Sequence, residues 1–509
     1  MLTEYQIEAL PERISERLNK INTEYLEEIG SVVKEIGELR PSDVHKIQRM
    51  YQNGGKTTEF VQKLARESEK NIFEIYDMFD IVAKENYSYA EPFFKAKGLP
   101  YLPYEENKEL QQYVKSIAKQ TVGEYVNLTQ HTAFAVFSNG GKSIAPLFDN
   151  NKDKVATSLS DTYTKVIDYA VTKVQTGVTD YQSAMREVMK AMADSGIRTV
   201  DYATGYSRRL ESAVRQNILW GIKECNQNTA DMIGEQFGAD GYEISYHSHP
   251  RPSHADMGGK QFAIGGARWV NGVYYPSFEE KAEPLLRDYG CLHFKFSVLL
   301  GVSRPAYSDA QLAQFKANDN RKFEFEGKEY TKYEAGQLQK RIESEVRRQK
   351  DRANIAKAAG DDVMRREAQY KINLLTSKYA KLSKECGLPT KMERMQMAGF
   401  RKTLTNLELW NKQIVGIVTT EGTKIAEISY HFYSQAKDRK LLYVVNQQSL
   451  EEALTKPLKV GKIKVDERGR RSQQYIGKTI SVAVNPDTGV IASVWKTSSE
   501  RVAKLKGDK

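Results

Sequence analysis

Apolar residues recur at three- and four-residue steps through most of the first 240 positions, the repeat expected of helices with one buried face. Ile7, Leu10, Ile14, Leu18, Ile21, Tyr25, Ile29, Val32 and Ile36 form one such stripe. It predicts a single long helix, with Pro11 tolerated near its start and Pro41 just past its end. Similar stripes over 57–86 and 106–136 predict further helices; Gly140-Gly141 breaks the run, and helices resume near 150–193. A last one over 203–236 carries Leu210, Val214, Ile218, Ile222 and Cys225 on one face and stops at Gly238 and Gly241.

The pattern changes at 240. Tyr242, Ile244 and Tyr246 alternate with Glu243, Ser245 and His247, which predicts a strand. The next fifty residues are rich in Gly, Pro and His, with short aromatic pieces around Phe262 and Trp269, so this segment is expected to be loop-rich with little core. From about 329 to 386 the helical repeat returns. Leu338, Ile342 and Val346 share one face; Ile372, Leu375, Tyr379, Leu382 and Cys386 share another. Two helices joined near Gly360-Asp361-Asp362 make an antiparallel hairpin, ended by Gly387 and Pro389. In the last hundred residues Lys424–Ser429 reads as strand and His431–Val444 as helix turning into strand. Thr479–Val484 and Val490–Val494 flank Asn485-Pro486-Asp487-Thr488-Gly489, a hairpin signal.

A chain of 509 residues is too long for one ordinary core, and the pattern divides it into 1–238, 239–325, 326–400 and 401–509. No apolar run is long enough to span a membrane, and the polar start Met1–Tyr5 lacks the layout of a secretory signal. Three scattered cysteines, Cys225, Cys291 and Cys386, argue against a disulfide scaffold and suit a reducing cytoplasm. The net charge is +10, and residues 401–509 supply nearly all of it, with 20 Lys/Arg against 11 Asp/Glu. A basic last domain on a near-neutral body points to an anionic partner, nucleic acid first, or else to a solvated basic surface.

Two groups of residues carry candidate chemistry. His247, His249, His254 and His293 fall within fifty residues, with Cys291 two before His293. Imidazole and thiolate are the usual zinc ligands, and four of them close a structural site that would clip a loop-rich domain together. The alternative is that these histidines bond loop backbone or sit in a tight core. No activated nucleophile stands beside a base in the sequence, so this centre reads as structural.

The second group lies in the basic domain. His431, Gln435 and Arg439 are spaced to share one helix face, and Ser472, Tyr475, Thr497 and Ser498 follow. A His with nearby cations and hydroxyls suits metal-free RNA cleavage, which needs proton transfer at a ribose hydroxyl and donors on the phosphate. No carboxylate cluster suited to two magnesium ions appears. A lone His on a helix is also a common surface residue.

His247, Arg251-Pro252-Ser253-His254-Ala255, Gly259-Lys260-Gln261-Phe262, Tyr275-Pro276-Ser277-Phe278, Cys291-Leu292-His293 and Gly301-Val302-Ser303-Arg304-Pro305-Ala306-Tyr307-Ser308 occur in that order. Over roughly residues 5–400 this series resembles the phage minor capsid protein 2 family, related to the phage head-morphogenesis proteins. His249-Pro250 stands where that family usually has Gly-Ala, which makes His249 a doubtful member of a shared site, so that if a metal binds the set is His247, His254, Cys291 and His293. Leu292 replaces an Arg, which removes a cation beside the Cys–His pair. Over about 405–500, Ile428-Ser429-Tyr430-His431, Gln435 with Arg439, Lys456-Pro457-Leu458, Tyr475-Ile476-Gly477 and Val484–Gly489 are similar to phage domains of the barnase/EndoU/colicin/RelE-like nuclease class.

The resemblances imply a low-copy, portal-proximal protein of the phage head, made in the bacterial cytoplasm and placed in the virion. Its partners would be the portal, other capsid proteins, phage DNA or RNA, and a cognate inhibitor. They also imply a metal-independent ribonuclease with His431 as acid/base, Arg439 on the phosphate, and Gln435, Tyr475, Ser472, Thr497 and Ser498 shaping the pocket. The second reading is a purely structural virion protein whose basic domain grips nucleic acid or a capsid partner. A third, a free intracellular toxin, is opposed by the helical body and the ordered capsid-type motifs. The expected fold is a mainly α multidomain body with a small loop-rich α+β central domain, plus a compact C-terminal α+β domain of barnase/RelE type.

Overall fold

In the computed structural model, residues 4–39, 55–130, 132–136, 155–175, 181–200, 207–288, 290–291, 293–467 and 469–507 are described. Pro41, Gly140-Gly141, Leu292 and the positions 203–206 lie outside them. The chain forms two compact units, residues 1–359 with 375–399, and residues 360–374 with 400–509. The sequence boundaries at 238 and 325 both fall inside the first unit.

The first unit is built on helices α1 (Glu4–Ala9), α2 (Glu12–Gly37), α3 (Gly55–Ala96) and α4 (Lys108–Gln130). Strands β1 (Thr132–Val136) and β2 (Val155–Thr157) follow, then α5 (Leu159–Gln175), α6 (Tyr181–Ser195), β3 (Arg198–Val200), β4 (Ser207–Arg209) and α7 (Leu210–Phe237). The stripe from Ile7 to Ile36 is buried as expected except for half-buried Leu10. It belongs to two helices, however, because Pro11 lacks the N–H that would continue α1 and instead sits at the N-cap of α2. The periodicity read over 203–236 gives a helix only from Leu210, after the short strand β4. Gly238 ends α7 in the left-handed conformation, φ 70°.

The helices meet closely. A Cβ on Gly221 of α7 would collide with the Thr121 side chain of α4 and lie 2.9 Å from Phe79 of α3, so only glycine lets these three helices touch. Beyond α7 come β5 (Gly241–Ile244), β6 (Gln261–Ala263), β7 (Arg268–Val270), β8 (Val273–Tyr275), α8 (Phe278–Lys281), α9 (Glu283–Leu286) and β9 (Lys295–Val298). β6, β5 and β9 form an antiparallel sheet in that order, and β7 pairs with β8. The alternation read at 242–246 does not hold as inside-outside, because Glu243 is buried. Helix α10 (Asp309–Asn320), hairpin β10 (Lys322–Phe325) to β11 (Lys328–Thr331), and helices α11 (Lys332–Ala358) and α12 (Asp362–Glu385) complete the order. α11 and the second half of α12 run antiparallel, as expected, with Gln339 Nε2 donating to Ser383 Oγ at 2.9 Å and Tyr379 Oη to Glu343 Oε1 at 3.1 Å.

One buried carboxylate ties this unit together. Asp351 of α11, 0% exposed, accepts from Arg209 at 2.8 Å and from Asn22 Nδ2 of α2 at 3.2 Å. Arg209 also donates to the Ala193 carbonyl of α6 at 2.7 Å, and Asn22 Oδ1 accepts the Ile197 amide at 2.8 Å. Burial pushes the Asp351 carboxyl up to about 6, against the opposing pull of Arg209.

The second unit contains the first half of α12, then α13 (Asn406–Ile414), β12 (Glu427–Ile428), α14 (Tyr430–Asp438), α15 (Gln447–Thr455), β13 (Lys459–Val460), β14 (Lys464–Val465), β15 (Arg471–Ile476), β16 (Ile480–Val484), β17 (Val490–Lys496) and α16 (Ser499–Gly507). The sheet order is β12-β17-β16-β15-β13, with β14 also on β15; β12 is parallel to β17 and the rest are antiparallel. The hairpin at 480–496 is the one read from sequence. Asn485 Oδ1 accepts the Asp487 and Thr488 amides at 2.9 and 3.1 Å, and Gly489 takes φ 71°. The strand read after His431 is not formed: Leu441, Leu442 and Val445 make a buried turn, and α15 follows. The core lies between sheet and helices and includes Trp410, Phe432, Tyr433, Leu450, Tyr475, Val482 and Val494.

Two substitutions test this account. Asp351→Ala leaves Arg209 buried without its partner and is expected to cost about 3–5 kcal/mol in chemical denaturation. Gly221→Ala forces α7 away from α4 and is expected to cost about 1–3 kcal/mol, read as a lower denaturation midpoint with an unchanged slope.

Candidate functional site

The central histidines are set by short elements with little apolar mass of their own. The local core is Ile244, Met257, Phe262, Phe278, Ala282, Leu286 and Cys291. His254 ends a single 3₁₀ turn, Pro252–His254, while Cys291 and His293 lie on the stretch from α9 into β9. This brings His254, Cys291 and His293 together, with a possible ligand atom of each within 4.8 Å of the others, all buried. Cys291 Sγ is 3.5 Å from His293 Nδ1, and His254 Nε2 is 3.0 Å from Asp288 Oδ2.

His247 stands beside this trio rather than in it, with its ring centroid 5.5 Å from that of His293. His249, at φ 47°, pairs its Nδ1 with Ser248 Oγ at 2.6 Å. A cavity of about 300 Å³ adjoins the trio and is lined as well by His247, His249, Arg251, Lys340, Lys391 and Arg394.

Burial dominates the electrostatics. His293 is 1% exposed, and its pKa falls to about 3, first through desolvation and then through His247, His254 and Lys223. Its Nε2 has no hydrogen-bond partner among the described residues. Burial raises the Cys291 thiol, opposed by Lys223. Lys223 of α7 is itself 1% exposed, donates to the Leu286 carbonyl, and is pushed down by burial. Both shifts favour the neutral forms of the pair. The sequence pattern gave no sign of Lys223, which comes from a helix remote in sequence, or of Asp288.

Two further motifs meet around a second buried group. Glu243 Oε2 accepts from Gln261 Nε2 at 2.8 Å and its Oε1 from the Ala306 amide at 3.0 Å, joining the Gly259–Phe262 and Gly301–Ser308 segments. Burial raises its pKa and these two hydrogen bonds oppose the rise.

In the second unit, Ser429 caps α14 by accepting the Phe432 amide, which starts the helix at Tyr430 and turns His431 to solvent. Gln435 Nε2 lies 2.9 Å from His431 Nε2, and Gln435 Oε1 accepts the Val494 amide at 3.2 Å. The Arg439 guanidinium donates to the Val494 carbonyl and lies 5.4 Å over the Trp495 ring. His431, Gln435 and Arg439 therefore line up along β17, with Trp495 joining them.

The remaining candidates are placed elsewhere. Tyr475 is 0% exposed, and its hydroxyl meets Thr419 Oγ1 at 3.1 Å and Gln473 Oε1 at 3.3 Å. Ser472 is half-buried opposite Lys464. Thr497 is buried against Ser481 Oγ at 3.0 Å, and Ser498 accepts the Arg501 amide at the start of α16.

Among the described residues no helix is long and apolar enough to cross a membrane. Searches of curated proteins and of solved structures yield no match. The family model described as phage minor capsid protein 2 matches residues 2–382, which include the helices of the first unit, the His/Cys trio and the Glu243 clamp. With most of its length so matched, the chain belongs to the phage minor capsid protein 2 family and is a structural protein of a phage.

Proposed function

We propose that this protein is a portal-proximal minor component of the phage head whose C-terminal unit meets RNA along α14 and β17, with His431 as the proton-transferring group of a metal-independent cleavage. The virion placement and the capsid partners rest on family membership. The observation that carries the cleavage reading is the alignment of His431, Gln435 and Arg439 beside Trp495. An imidazole, an amide, a guanidinium and an aromatic face along one strand are the groups that transfer a proton, hold a phosphate and stack a base. The unit's excess of Lys and Arg supplies long-range attraction to a polyanion.

A second reading, nucleic-acid binding without cleavage, is favoured by the burial of Tyr475 and Thr497, which keeps both hydroxyls off the exposed surface where His431 lies. Full-length protein incubated with tRNA in EDTA separates the two. Cleavage that falls by about 10²-fold or more in His431→Ala supports the enzyme. Retardation of intact RNA, weakened by Arg439→Ala and steeply by salt, supports binding alone.

A further inference from the structure

We infer that His254, Cys291 and His293 bind a zinc-type divalent ion, with Asp288 orienting His254 from outside the coordination shell. Two independent features of the trio lead there.

The first is distance. A tetrahedral zinc holds a thiolate sulfur and an imidazole nitrogen about 3.5 Å apart, given the usual Zn–S and Zn–N lengths. Cys291 Sγ and His293 Nδ1 stand 3.5 Å apart, and His254 brings a third donor within 4.8 Å of both. The second is the outer partner. Metal-bound imidazoles commonly give their other ring nitrogen to a carboxylate, and His254 Nε2 is held by Asp288 Oδ2 at 3.0 Å.

Binding displaces the Cys291 proton to solvent and forms the metal–sulfur bond, with no change of oxidation state. All three side chains border the cavity that His247 also lines, so a fourth ligand would reach the ion from that side. The ion would join the turn at 252–254 to the segment entering β9, across a core of seven buried residues. That is where a cross-link adds most to a loop-rich fold.

The test uses the full chain, purified under reducing conditions, loaded with zinc and dialysed. One tightly held zinc per chain is expected, lost in Cys291→Ala and in His293→Ala. Loading with cobalt instead should give the intense visible bands of tetrahedral geometry and a thiolate-to-cobalt charge-transfer band. Asp288→Asn, at a half-exposed position that should not impair folding, is expected to weaken zinc by about 10–100-fold. If either ligand variant fails to fold, the wild-type cobalt spectrum and the Asp288→Asn affinity decide. Wild-type protein that stays folded by circular dichroism but keeps no zinc and shows no cobalt–thiolate band overturns the proposal. So does zinc that survives in a folded Cys291→Ala.

Discussion

The buried carboxylate of Asp351 is the constraint on which the first unit turns. A fully enclosed charge is tolerable only when its partners are in place, so Asp351 dictates where Arg209 and Asn22 must be. Through Arg209 it sets the junction of β4 and α7, and through Asn22 it sets α2 against the turn at Ile197. α7 then carries the consequence along its length. Gly221 meets α4 at close range, Lys223 reaches the floor of the His/Cys trio, and Gly234 lets β9 dock, where Ser297 Oγ donates to the Ala230 carbonyl at 2.5 Å. The central sheet and its motifs are thus hung on a helix whose start is fixed by one ion pair.

The helical body was legible because its stripes record burial directly. From Ile14 to Ile36, and from Leu210 to Cys225, the apolar repeat is the buried face. What failed were places where one residue's backbone chemistry or a tertiary contact outweighs a run. Pro11 divides a continuous stripe. The β-prone run from Leu441 to Val445 forms no strand, because Lys440 at φ 56° ends α14 and the Leu441 amide turns back to the Ala436 carbonyl. α15 was missed although Asn446 and Ser449 form its capping box, since only Leu450, Ala453 and Leu454 mark its buried side. Glu243 looked outward by alternation, yet it lies inside because the Gln261 side chain and the Ala306 amide satisfy it there.

The sites divide in the same way. Spacing on one helix placed His431, Gln435 and Arg439 on one side of α14, as the repeat of 3.6 residues requires. Residue type alone does not reveal which face of a strand points into the core; the pairing of β15 with β16 turns Tyr475 inward beside Val482. Clustered His and Cys between 247 and 293 signalled the trio, but its outer partners, Asp288 and Lys223, are joined to it by folding rather than by spacing.

The hydrogen bonds around His431 also bear on what that residue can do. Gln435 Oε1 is occupied by the Val494 amide, so the end of the side chain that faces His431 is its NH₂. That group can only donate, which makes His431 Nε2 the acceptor and leaves the imidazole proton on Nδ1. Protonating Nε2 would set two donors against each other. In this arrangement Nδ1–H is a donor ready for a phosphate oxygen, while a base acting through Nε2 must first part from Gln435. On the function proposed above, phosphate contact would need no rearrangement at His431, whereas cleavage with Nε2 as base would need the substrate to displace the amide, so contact and proton transfer would be separable steps.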